Sequence, residues 1–412
     1  MGKQVISLTF AGLDAGLLPV PDDEIRRWHR FPANQQPRWE DQNKADEVVR
    51  TLAGLPGLVG WDEVQTLRRL LAEVATGELQ VMQAGDCAEE PAQCVPEHLA
   101  ARVALLETLA GRMSAGTGTP TLMVGRIAGQ FAKPRSEPTE KVGDRRLPAF
   151  RGPMVNGPVS VPTSRRPEPT RMLTCYHAAR TATVFLRGHS RIASTVWTSH
   201  EALVLDYELP LVRRHADGAL LLTSTHWPWI GERTRQLDGA HVTLLSEVEN
   251  PIACKVGPDI TESELLRLCE RLDPHREPGR LTLIVRHGAS RAAERIPGLV
   301  KVVLDTGYPV IWLCDPMHGN TVTTPAGLKT RAFTAVAQEI NEFCTAVTEA
   351  GGVAGGLHLE TTPDPVAECV WEPGEIDVLT GKAYTTLCDQ RLDREQTCAA
   401  VNVWAAERKA RR

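Results

Sequence analysis

From residue 79 onward, short apolar runs alternate with segments of helical length, and this alternation limits the folds available to the chain. The apolar runs are Leu79–Ala84, Thr121–Val124, Ile192–Trp197, Ala219–Thr223, Pro251–Val256, Leu281–Val285, Val310–Leu313 and Val353–Leu359. The helical segments between them include Pro96–Met113, Thr170–Arg187, Glu201–Arg214, Glu262–Leu272 and Thr330–Ala350. Eight such alternations predict an α/β fold, a (β/α)8 TIM barrel with parallel strands. An open, doubly wound sheet is the alternative that the same pattern allows.

Residues 1–75 precede this alternation, and their sequence predicts an N-terminal extension that is part helical and part irregular. Ala45–Leu55 and Trp61–Glu78 carry apolar residues at helical spacing, which favours amphipathic helices. We therefore divide the chain into an N-terminal extension (1–75) and a (β/α)8 barrel (76–412). Residues 133–169 predict a long loop, and loops of this length in compact domains are often functional.

The charge balance and the cysteines exclude several classes of protein. The formal net charge of −5 over 412 residues argues against a general nucleic-acid-binding protein. Ten scattered cysteines include no CxxC pair, which fits reduced thiols better than a disulfide framework. The sequence has neither a membrane-length apolar stretch nor a signal-peptide pattern. We therefore expect a cytoplasmic protein without membrane contact.

Charged residues follow nearly every apolar run, and catalytic groups of a barrel lie just after the C-terminal ends of its strands. One set of these residues is cationic and could hold phosphates and a carboxylate. Arginine binds oxyanions through paired hydrogen bonds, whereas lysine acts as a point charge. The members of the set are Arg126, Lys133, Arg135, Arg233, Lys255 and Arg286. The pattern predicts a site for a phosphorylated, carboxylated metabolite.

A second set offers sulfur, nitrogen and oxygen donors, a combination that suits borderline divalent metals. It consists of Cys87, His318, Glu360 and Asp389. Simpler interpretations stay open on spacing alone. Cys87 could be a small core residue, His318 a hydrogen-bonding turn residue, and Asp389 a helix cap or turn residue. Glu360 is harder to explain without a function, because it ends an apolar strand.

These residues stand in segments that together resemble the type II 3-deoxy-D-arabino-heptulosonate 7-phosphate (DAHP) synthases. The segments are GDCAE at 85–89, GRIAGQFAKPRS at 125–136, TSHEAL at 198–203, WIGERTRQLDGAHV at 229–242, NPIACKVGP at 250–258, PGRLTLIVRHG at 278–288, CDPMHGNT at 314–321, GGLHLE at 355–360 and YTTLCDQRL at 384–392. The resemblance implies a (β/α)8 barrel that condenses phosphoenolpyruvate with erythrose 4-phosphate and releases phosphate. That reaction is the first step of the shikimate pathway.

The resemblance also implies a role for each residue of the two sets. The implied ligands of a divalent metal (Mn, Co, Fe or Zn) are Cys87, His318, Glu360 and Asp389. The implied phosphoenolpyruvate-binding residues are Arg126, Glu232, Arg233, Lys255 and Arg286. The phosphate of erythrose 4-phosphate would be held by Arg135 and Ser136. The candidates for catalytic roles are Lys133, His318 and Glu360.

Three positions depart from the family pattern. Pro153, within Phe150–Gly157, replaces an Asp; the change removes a carboxylate and a backbone donor and leaves the acceptor substrate open. Gln390 replaces a Pro, so the turn beside Asp389 differs from that of the family. His287 stands where Met is common, and it would titrate near neutral pH if it bordered the site.

The chain is also short for the family, with no room for the full set of helices that bind aromatic amino acids in longer members. We therefore expect a feedback-insensitive enzyme that feeds secondary metabolism, as in phenazine or ansamycin formation, and that is a homo-dimer or homo-tetramer. A condensation with an amino or otherwise altered acceptor (aminoDAHP-type) is the nearest alternative, and Pro153 favours it. An inactive barrel that regulates a partner such as chorismate mutase is the non-enzymatic alternative. The retention of both residue sets argues against that alternative.

Overall fold

The computed structural model describes residues 16–142, 144–189, 195–379 and 381–410. Its strands are β1 (Leu17–Pro19), β2 (Gln80–Gly85), β3 (Thr121–Arg126), β4 (Thr139–Val142), β5 (Arg145–Pro148), β6 (Val196–Glu201), β7 (Val212–His215), β8 (Leu220–Leu222), β9 (Trp227–Ile230), β10 (Ile252–Val256), β11 (Leu281–Val285), β12 (Ile311–Cys314), β13 (Val322–Thr323), β14 (Lys329–Thr330) and β15 (Ala354–Glu360). Its helices are α1 (Asp22–Trp28), α2 (Gln42–Ala53), α3 (Trp61–Ala75), α4 (Pro96–Thr117), α5 (Pro162–Arg165), α6 (Arg171–His189), α7 (Leu205–Glu208), α8 (Ala240–Glu247), α9 (Glu262–Leu272), α10 (Arg291–Asp305), α11 (Phe333–Glu349) and α12 (Arg394–Ala410). None of these helices is long and apolar enough to cross a membrane.

Eight parallel strands form a closed barrel in the order β2, β3, β6, β9, β10, β11, β12, β15. The last strand, β15, closes the barrel by pairing with β2, where Glu360 lies opposite Gly85. The strands are short and almost entirely buried, as expected when helices cover the outside of a parallel barrel and side chains fill its inside. The (β/α)8 prediction is therefore confirmed, and the open sheet is excluded.

One of the eight predicted strands lies outside the barrel. The run Ala219–Thr223 contains β8, which pairs antiparallel with β7 in a small sheet completed by β1. The fourth barrel strand is instead β9, Trp-Pro-Trp-Ile, which pairs with β6 and β10. Pro228 lacks the backbone N–H for a ladder hydrogen bond, and prolines are rare in central strands, so the sequence favoured the leucine run. The run predicted at 192–197 corresponds to β6, although residues 190–194 lie outside the described part.

The predicted helices between the runs are found at α4, α6, α9 and α11, but the one predicted at Glu201–Arg214 is wrong. That segment holds the end of β6, the single turn α7, a 3-10 turn and part of β7. Pro210 accounts for the interruption, because proline lacks a backbone donor and clashes with the preceding turn. Helix α10 has no counterpart among the predicted segments. Pro297 lies inside it, and a proline argues against a helix at the sequence level.

Helix α3 covers the N-terminal end of the barrel. Its apolar face is formed by Leu67, Leu71 and Val74. These side chains belong to one buried cluster with residues inside the barrel, among them Val81 and Ile311. The base of the barrel is thereby sealed, and the functional groups are left to the C-terminal end. The division of the chain at residue 75 stays a prediction.

The predicted long loop at 133–169 is partly ordered into secondary structure. It contains the hairpin of β4 and β5 and the single turn α5. Backbone hydrogen bonds tie it to the end of β3: Lys133 N donates to Arg151 O at 2.9 Å, and Met154 N donates to Phe131 O at 3.0 Å. These bonds place Lys133 at the mouth of the barrel.

Candidate active site at the C-terminal end of the barrel

Residues from seven of the eight barrel strands or from the loops that follow them line one cavity at the C-terminal end. The lining consists of Arg126, Gln130, Lys133, Pro134, Glu201, Trp229, Gly231, Glu232, Arg233, Lys255, Arg286, His318 and Asp389. Most of these are predicted site residues. Of the remaining predicted ones, Cys87 bonds to Asp389, Glu360 bonds to Arg126, Ser136 bonds to Arg233, and Arg135 follows Pro134 in the chain. The cavity thus brings both predicted sets together, while their individual roles stay predictions.

Arg126, at the end of β3, is fully buried and held in one orientation. Its Nη2 donates to Glu360 Oε1 at 3.1 Å, and its Nη1 donates to His358 Nε2 at 2.7 Å. Because an arginine can only donate, His358 accepts at Nε2 and carries its proton on Nδ1, which lies 2.7 Å from Gln83 Oε1. Burial and the charge of Lys255 hold the pKa of His358 well below its usual value. A neutral histidine therefore aligns the guanidinium of Arg126.

Lys255 and Arg286 both reach the loop that carries His318. Lys255 Nζ donates to Asp315 Oδ2 at 2.9 Å and lies 3.5 Å from His318 Nδ1. Arg286 Nη2 donates to the carbonyl oxygen of His318 at 3.1 Å. Burial lowers the pKa of Lys255, although the carboxylate of Asp315 acts in the opposite direction. Clustered, desolvated cations of this kind are a natural site for an anion.

His318, Glu360 and Asp389 bring three possible ligand atoms within 4.8 Å of one another. His318 Nε2 lies 3.3 Å from Glu360 Oε1 and 4.0 Å from Asp389 Oδ2. The other ring nitrogen, Nδ1, lies 2.8 Å from Asp315 Oδ2, which fixes the tautomer whose Nε2 can act as a ligand. Lys133 Nζ lies between the two carboxylates, 3.3 Å from Glu360 and 3.0 Å from Asp389.

The electrostatics of this cluster keep Glu360, Asp389 and the neighbouring Lys133 charged. Burial opposes the ionisation of Glu360, but His318 and Lys133 hold the pKa of its carboxyl well below the usual range. The pKa of Asp389 is lowered against burial by Lys133. In return, the two carboxylates raise the pKa of Lys133, although burial acts in the opposite direction. Ionised carboxylates are the form that binds a metal.

The thiol of Cys87 lies against the segment of Asp389. Its Sγ accepts a hydrogen bond from Asp389 N at 3.3 Å and lies 3.2 Å from Thr386 Oγ1. Burial disfavours the thiolate, but the hydrogen bond with Cys388 and the charge of Lys133 hold the pKa of Cys87 below its usual value. A lowered pKa favours the thiolate, which is the metal-binding form. The sulfur contacts the backbone of Asp389 but is not among the three donors that lie within 4.8 Å of one another. As a fourth donor it would complete a sulfur, nitrogen and oxygen set that fits a borderline divalent metal.

Arg135 and Ser136 form the outer edge of the cavity. Ser136 Oγ accepts a hydrogen bond from Arg233 Nη2, and Arg135 Nη2 donates to Glu140 Oε2 at 3.1 Å. The backbone N–H of Arg135 donates to the side chain of Gln35 at 2.9 Å. Two arginines and a hydroxyl at one edge form a group that can hold a phosphate.

An N-terminal segment, residues 32–39, passes beside this edge and escaped the sequence analysis as part of a site. Gln35 has a left-handed backbone (φ 63), and its carbonyl accepts a hydrogen bond from Arg151. The neighbouring Gln36 ties the segment to the barrel: its side chain accepts from Leu205 N at 2.9 Å and donates to Leu203 O at 2.8 Å. The only signal in the sequence is the pair of adjacent glutamines between prolines.

Glu232 bridges two loops of the site. Its Oε1 accepts from Arg235 Nε and Nη2 at 3.0 and 2.8 Å, and its Oε2 accepts from Gly257 N at 2.6 Å. A Cβ atom on Gly257 would lie only 2.9 Å from the carboxyl carbon of Glu232, so the glycine is required by this close approach. The bridge fixes the loop of Arg233 relative to the strand of Lys255.

Glu201, the last residue of β6, lines the cavity without a role assigned from the sequence. Its Oε1 is buried and has no hydrogen-bond partner among the described residues. Gly231 makes room for it, since a Cβ there would lie 2.0 Å from that oxygen. Burial raises the pKa of Glu201, against the charges of Lys255 and Lys133. A buried carboxyl group with an uncommitted oxygen in a cavity is a candidate acid or base.

Trp229 and Gln130 are further cavity residues that the sequence analysis did not single out. The ring of Trp229 lies 5.3 Å from the guanidinium carbon of Arg126 and 5.9 Å from Lys255 Nζ. The side chain of Gln130 accepts from Glu201 N at 3.0 Å. An aromatic face beneath two cations stabilises both charges. Both residues stand in strand-end segments, which is the one signal that could have found them.

Two of the departures noted in the sequence lie away from the cavity lining. Pro153 lines a separate surface cleft with Glu90 and Arg171. His287 is buried, and burial, reinforced by the charge of Arg295, lowers its pKa to about 4. The ring is therefore neutral at neutral pH, and the expected titration near neutrality is not found.

The comparison with known proteins agrees with this geometry. The family model described as the class-II DAHP synthetase family matches residues 23–194 and 189–403. A probable phospho-2-dehydro-3-deoxyheptonate aldolase of Pseudomonas fluorescens is 50% identical over 391 residues, covering 93% of this chain and 98% of the relative. The phospho-2-dehydro-3-deoxyheptonate aldolase of Streptomyces coelicolor is 37% identical, covering 90% of this chain and 94% of its own length.

A third relative, the phospho-2-dehydro-3-deoxyheptonate aldolase of Mycolicibacterium smegmatis, is 36% identical and covers 92% of this chain and 94% of its own length. Among solved structures, a truncated DAHP synthase of Thermotoga maritima matches at 18% identity with a TM-score of 0.38, covering 79% of this chain and 84% of that one. The resemblance found in the sequence is confirmed by the family model and the close relatives. The chain is an enzyme that belongs to the class-II DAHP synthetase family.

Proposed function

We propose that this enzyme condenses phosphoenolpyruvate with erythrose 4-phosphate to give DAHP and phosphate, and that it requires a divalent metal. The observation that carries the proposal is a single cavity lined by five cations and by His318 and Asp389, two members of the three-atom ligand cluster. Two anionic substrates repel each other in water, and a site of this charge offsets the repulsion while it aligns them. The names of the relatives support the same reaction.

The metal would be held by Cys87, His318, Glu360 and Asp389. When bound, it would polarise the aldehyde oxygen of erythrose 4-phosphate as a Lewis acid. Mixed sulfur, nitrogen and oxygen ligation suits Mn, Co, Fe or Zn. The choice among these metals is a matter for measurement.

Phosphoenolpyruvate would occupy the cationic part of the cavity. Arg126, Arg233, Lys255 and Arg286 all line the cavity. Lys255 and Arg286 bond to the loop of His318. Arginines suit the paired oxygens of a phosphate and a carboxylate. Glu232 acts indirectly, because its bonds to Arg235 and Gly257 fix the loops that carry Arg233 and Lys255.

The phosphate of erythrose 4-phosphate would lie at the outer edge, held by Arg135 and Ser136. In this placement the aldehyde end points inward, toward Lys133. Carbon C3 of phosphoenolpyruvate forms the new bond to the aldehyde carbon, and water adds to C2. The C–O bond to the phosphate then breaks as the C2 hydroxyl becomes a ketone, and the hydroxyl proton leaves with inorganic phosphate.

Two proton movements accompany these bond changes. Glu201 has an uncommitted oxygen in the cavity and would take the proton from the attacking water. Lys133 is held protonated by the neighbouring carboxylates and would supply the proton that the former aldehyde oxygen gains. His318 is the other candidate for proton transfer, but a ring that binds metal through Nε2 and bonds to Asp315 through Nδ1 has no proton to give the aldehyde oxygen, which favours Lys133. Glu360 contributes by orienting Arg126 and Lys133 as well as by its place in the ligand cluster.

The test measures the consumption of phosphoenolpyruvate by metal-stripped protein, with erythrose 4-phosphate as acceptor, before and after Mn²⁺ or Co²⁺ is added. We expect turnover only with metal, and its loss in Cys87→Ala. Cys94→Ala is the matched control, since Cys94 is also a buried thiol but lines the separate cleft of Pro153, whereas Cys87 contacts Asp389. Full turnover after exhaustive chelation would overturn the metal requirement.

An amino or altered acceptor is the second candidate reaction, suggested by Pro153 in the sequence. Pro153 is absent from the cavity lining and belongs to a cleft beside Arg171, which weakens this candidate. A comparison of product formation with erythrose 4-phosphate and its amino analogue decides between the two. A purely regulatory barrel paired with chorismate mutase is the third candidate, and metal-dependent turnover would eliminate it.

The place in metabolism is also a proposal. We infer a feedback-insensitive enzyme that supplies secondary metabolism as a homo-dimer or homo-tetramer. Strong inhibition of the purified enzyme by Phe, Tyr or Trp would contradict the first part, and a monomeric mass by light scattering would contradict the second.

A further inference from the structure

We propose that Arg331 is a positioning residue for the metal, whose single guanidinium fixes the relative placement of the three segments that carry His318, Glu360 and Asp389. The inference rests on the metal site of the proposed function. Arg331 stands between β14 and α11, outside the segments by which the site was recognised in the sequence.

The guanidinium of Arg331 is completely buried and donates in three directions. Its Nη2 donates to Glu360 Oε2 at 3.0 Å. Its Nε donates to the carbonyl oxygen of Met317, the residue before His318, at 2.6 Å. Its Nη1 donates to the carbonyl oxygen of Gln390, the residue after Asp389. Every segment of the three-ligand cluster is therefore bonded to the same rigid, planar group.

The two oxygens of Glu360 have different partners because of this arrangement. Oε2 is bonded to Arg331, whereas Oε1 accepts from Arg126 at 3.1 Å and lies 3.3 Å from both Lys133 Nζ and His318 Nε2. Arg331 thus holds the carboxylate by its rear oxygen and presents Oε1 to the cavity. Groups that hold a ligand in this way tune metal affinity without touching the metal.

Arginine is suited to this position in a way that lysine is not. Five N–H groups in one plane can serve a carboxylate and two carbonyls at once, while an ammonium offers three donors on a flexible stem. The main chain of Arg331 is also anchored, because its carbonyl accepts from Val370 N at 2.9 Å. A fixed backbone and a planar fork together define where the three segments meet.

The test compares the Mn²⁺ affinity of metal-stripped wild type, Arg331→Lys and Arg331→Gln by isothermal titration calorimetry. We expect affinities about 10- to 100-fold weaker in both variants, as is usual when an outer partner of a metal ligand is removed. The absorption spectrum of the Co²⁺ form is a second readout, because it reports ligand geometry independently of turnover. We expect the Co²⁺ spectrum to change in Arg331→Lys.

Arg280→Lys is the matched control. Arg280 is also buried. Among the described residues its guanidinium donates only to backbone carbonyls, those of Leu245, Val248, Asn250 and Leu272, which lie outside the ligand cluster. We expect this variant to lose thermal stability in the metal-free state while it keeps the wild-type Mn²⁺ affinity. If disturbing any buried arginine weakened metal binding, Arg331→Lys and Arg280→Lys would both bind Mn²⁺ more weakly than the wild type.

Each outcome is decisive. Wild-type Mn²⁺ affinity and an unchanged Co²⁺ spectrum in Arg331→Lys would overturn the positioning role while leaving the metal site intact. Failure of the wild type itself to bind metal would overturn the metal site of the proposed function and this inference with it. Arg331→Lys keeps the charge and much of the volume, so the measurement does not depend on the folding of Arg331→Gln.

Discussion

Lys133 Nζ lies 3.0 Å from Asp389 Oδ2, so this buried ammonium forms an ion pair with a carboxylate that is proposed to bind the metal. We expect Lys133→Gln to lower kcat by about 100-fold or more, because a positioned proton donor is lost. The matched control is Lys329→Gln: Lys329 Nζ lies 4.0 Å from the other oxygen of Asp389, but its side chain is 47% exposed. Exposed ion pairs contribute little, so we expect near-normal kcat there. Steady-state kinetics at saturating metal decide, and equal losses in both variants would contradict the role of Lys133.

Glu201 should set the acidic side of the pH profile of kcat. A general base must be deprotonated, and burial raises the pKa of Glu201, so its loss of activity on acidification begins at a higher pH than for an ordinary glutamate. We expect Glu201→Gln to lower kcat and to remove this limb. Glu90→Gln is the control, since burial also raises the pKa of Glu90 but the residue lies in the surface cleft. An unaltered profile in Glu201→Gln would refute the assignment.

Gln35 should affect the acceptor substrate selectively. Its side chain accepts the backbone N–H of Arg135, and losing one such hydrogen bond costs about 1 kcal/mol. We expect Gln35→Ala to raise the KM for erythrose 4-phosphate several-fold and to leave that for phosphoenolpyruvate nearly unchanged. Gln42→Ala, which removes an exposed glutamine bonded to Asp46, serves as the control. If the KM values for both substrates rose together, Gln35 would act on the stability of the whole site and not on the acceptor alone.

Glu339 should make stability fall as the pH rises. Burial raises the pKa of this carboxyl from 4.5 to about 8 in the folded chain. Between those values the folded state keeps a proton that the unfolded chain releases, so the free energy of unfolding decreases with pH, by up to a few kcal/mol. We expect Glu339→Gln to flatten this dependence, measured by urea unfolding at pH 6 and pH 8.5. Glu342→Gln on the same helix should keep the wild-type slope, and an equal slope in Glu339→Gln would contradict the prediction.

The barrel was predictable because its strands are buried on both faces and therefore appear as continuous apolar runs. Strand β9 is the exception, because it carries Pro228 between two tryptophans. It is a barrel strand because it pairs with β6 and β10. No property of four residues can encode pairing with distant partners. The leucines of β8 are equally apolar but serve a different sheet.

The candidate site was predictable where a residue stands at the C-terminal end of a strand, as Arg126 and Glu360 do. Gln35 and Arg331 act through contacts that no local pattern records. Gln35 lies 100 positions before Arg135, and Arg331 meets the segment of Asp389 by a bond that spans 59 positions. Glu201 also stands at the end of a strand. Its proposed role as a base depends on an oxygen without a hydrogen-bond partner among the described residues, and only the folded structure shows this.

Helix α3 has a consequence for how the chain reaches its fold. Leu67, Leu71 and Val74 meet a surface assembled from strands as late in the sequence as β12. Contacts of such long range form only after much chain entropy has been lost, so their assembly is slow. On the ribosome, the helix emerges long before the strands that will cover its apolar face. Until those strands arrive, this face is exposed and able to associate with other chains.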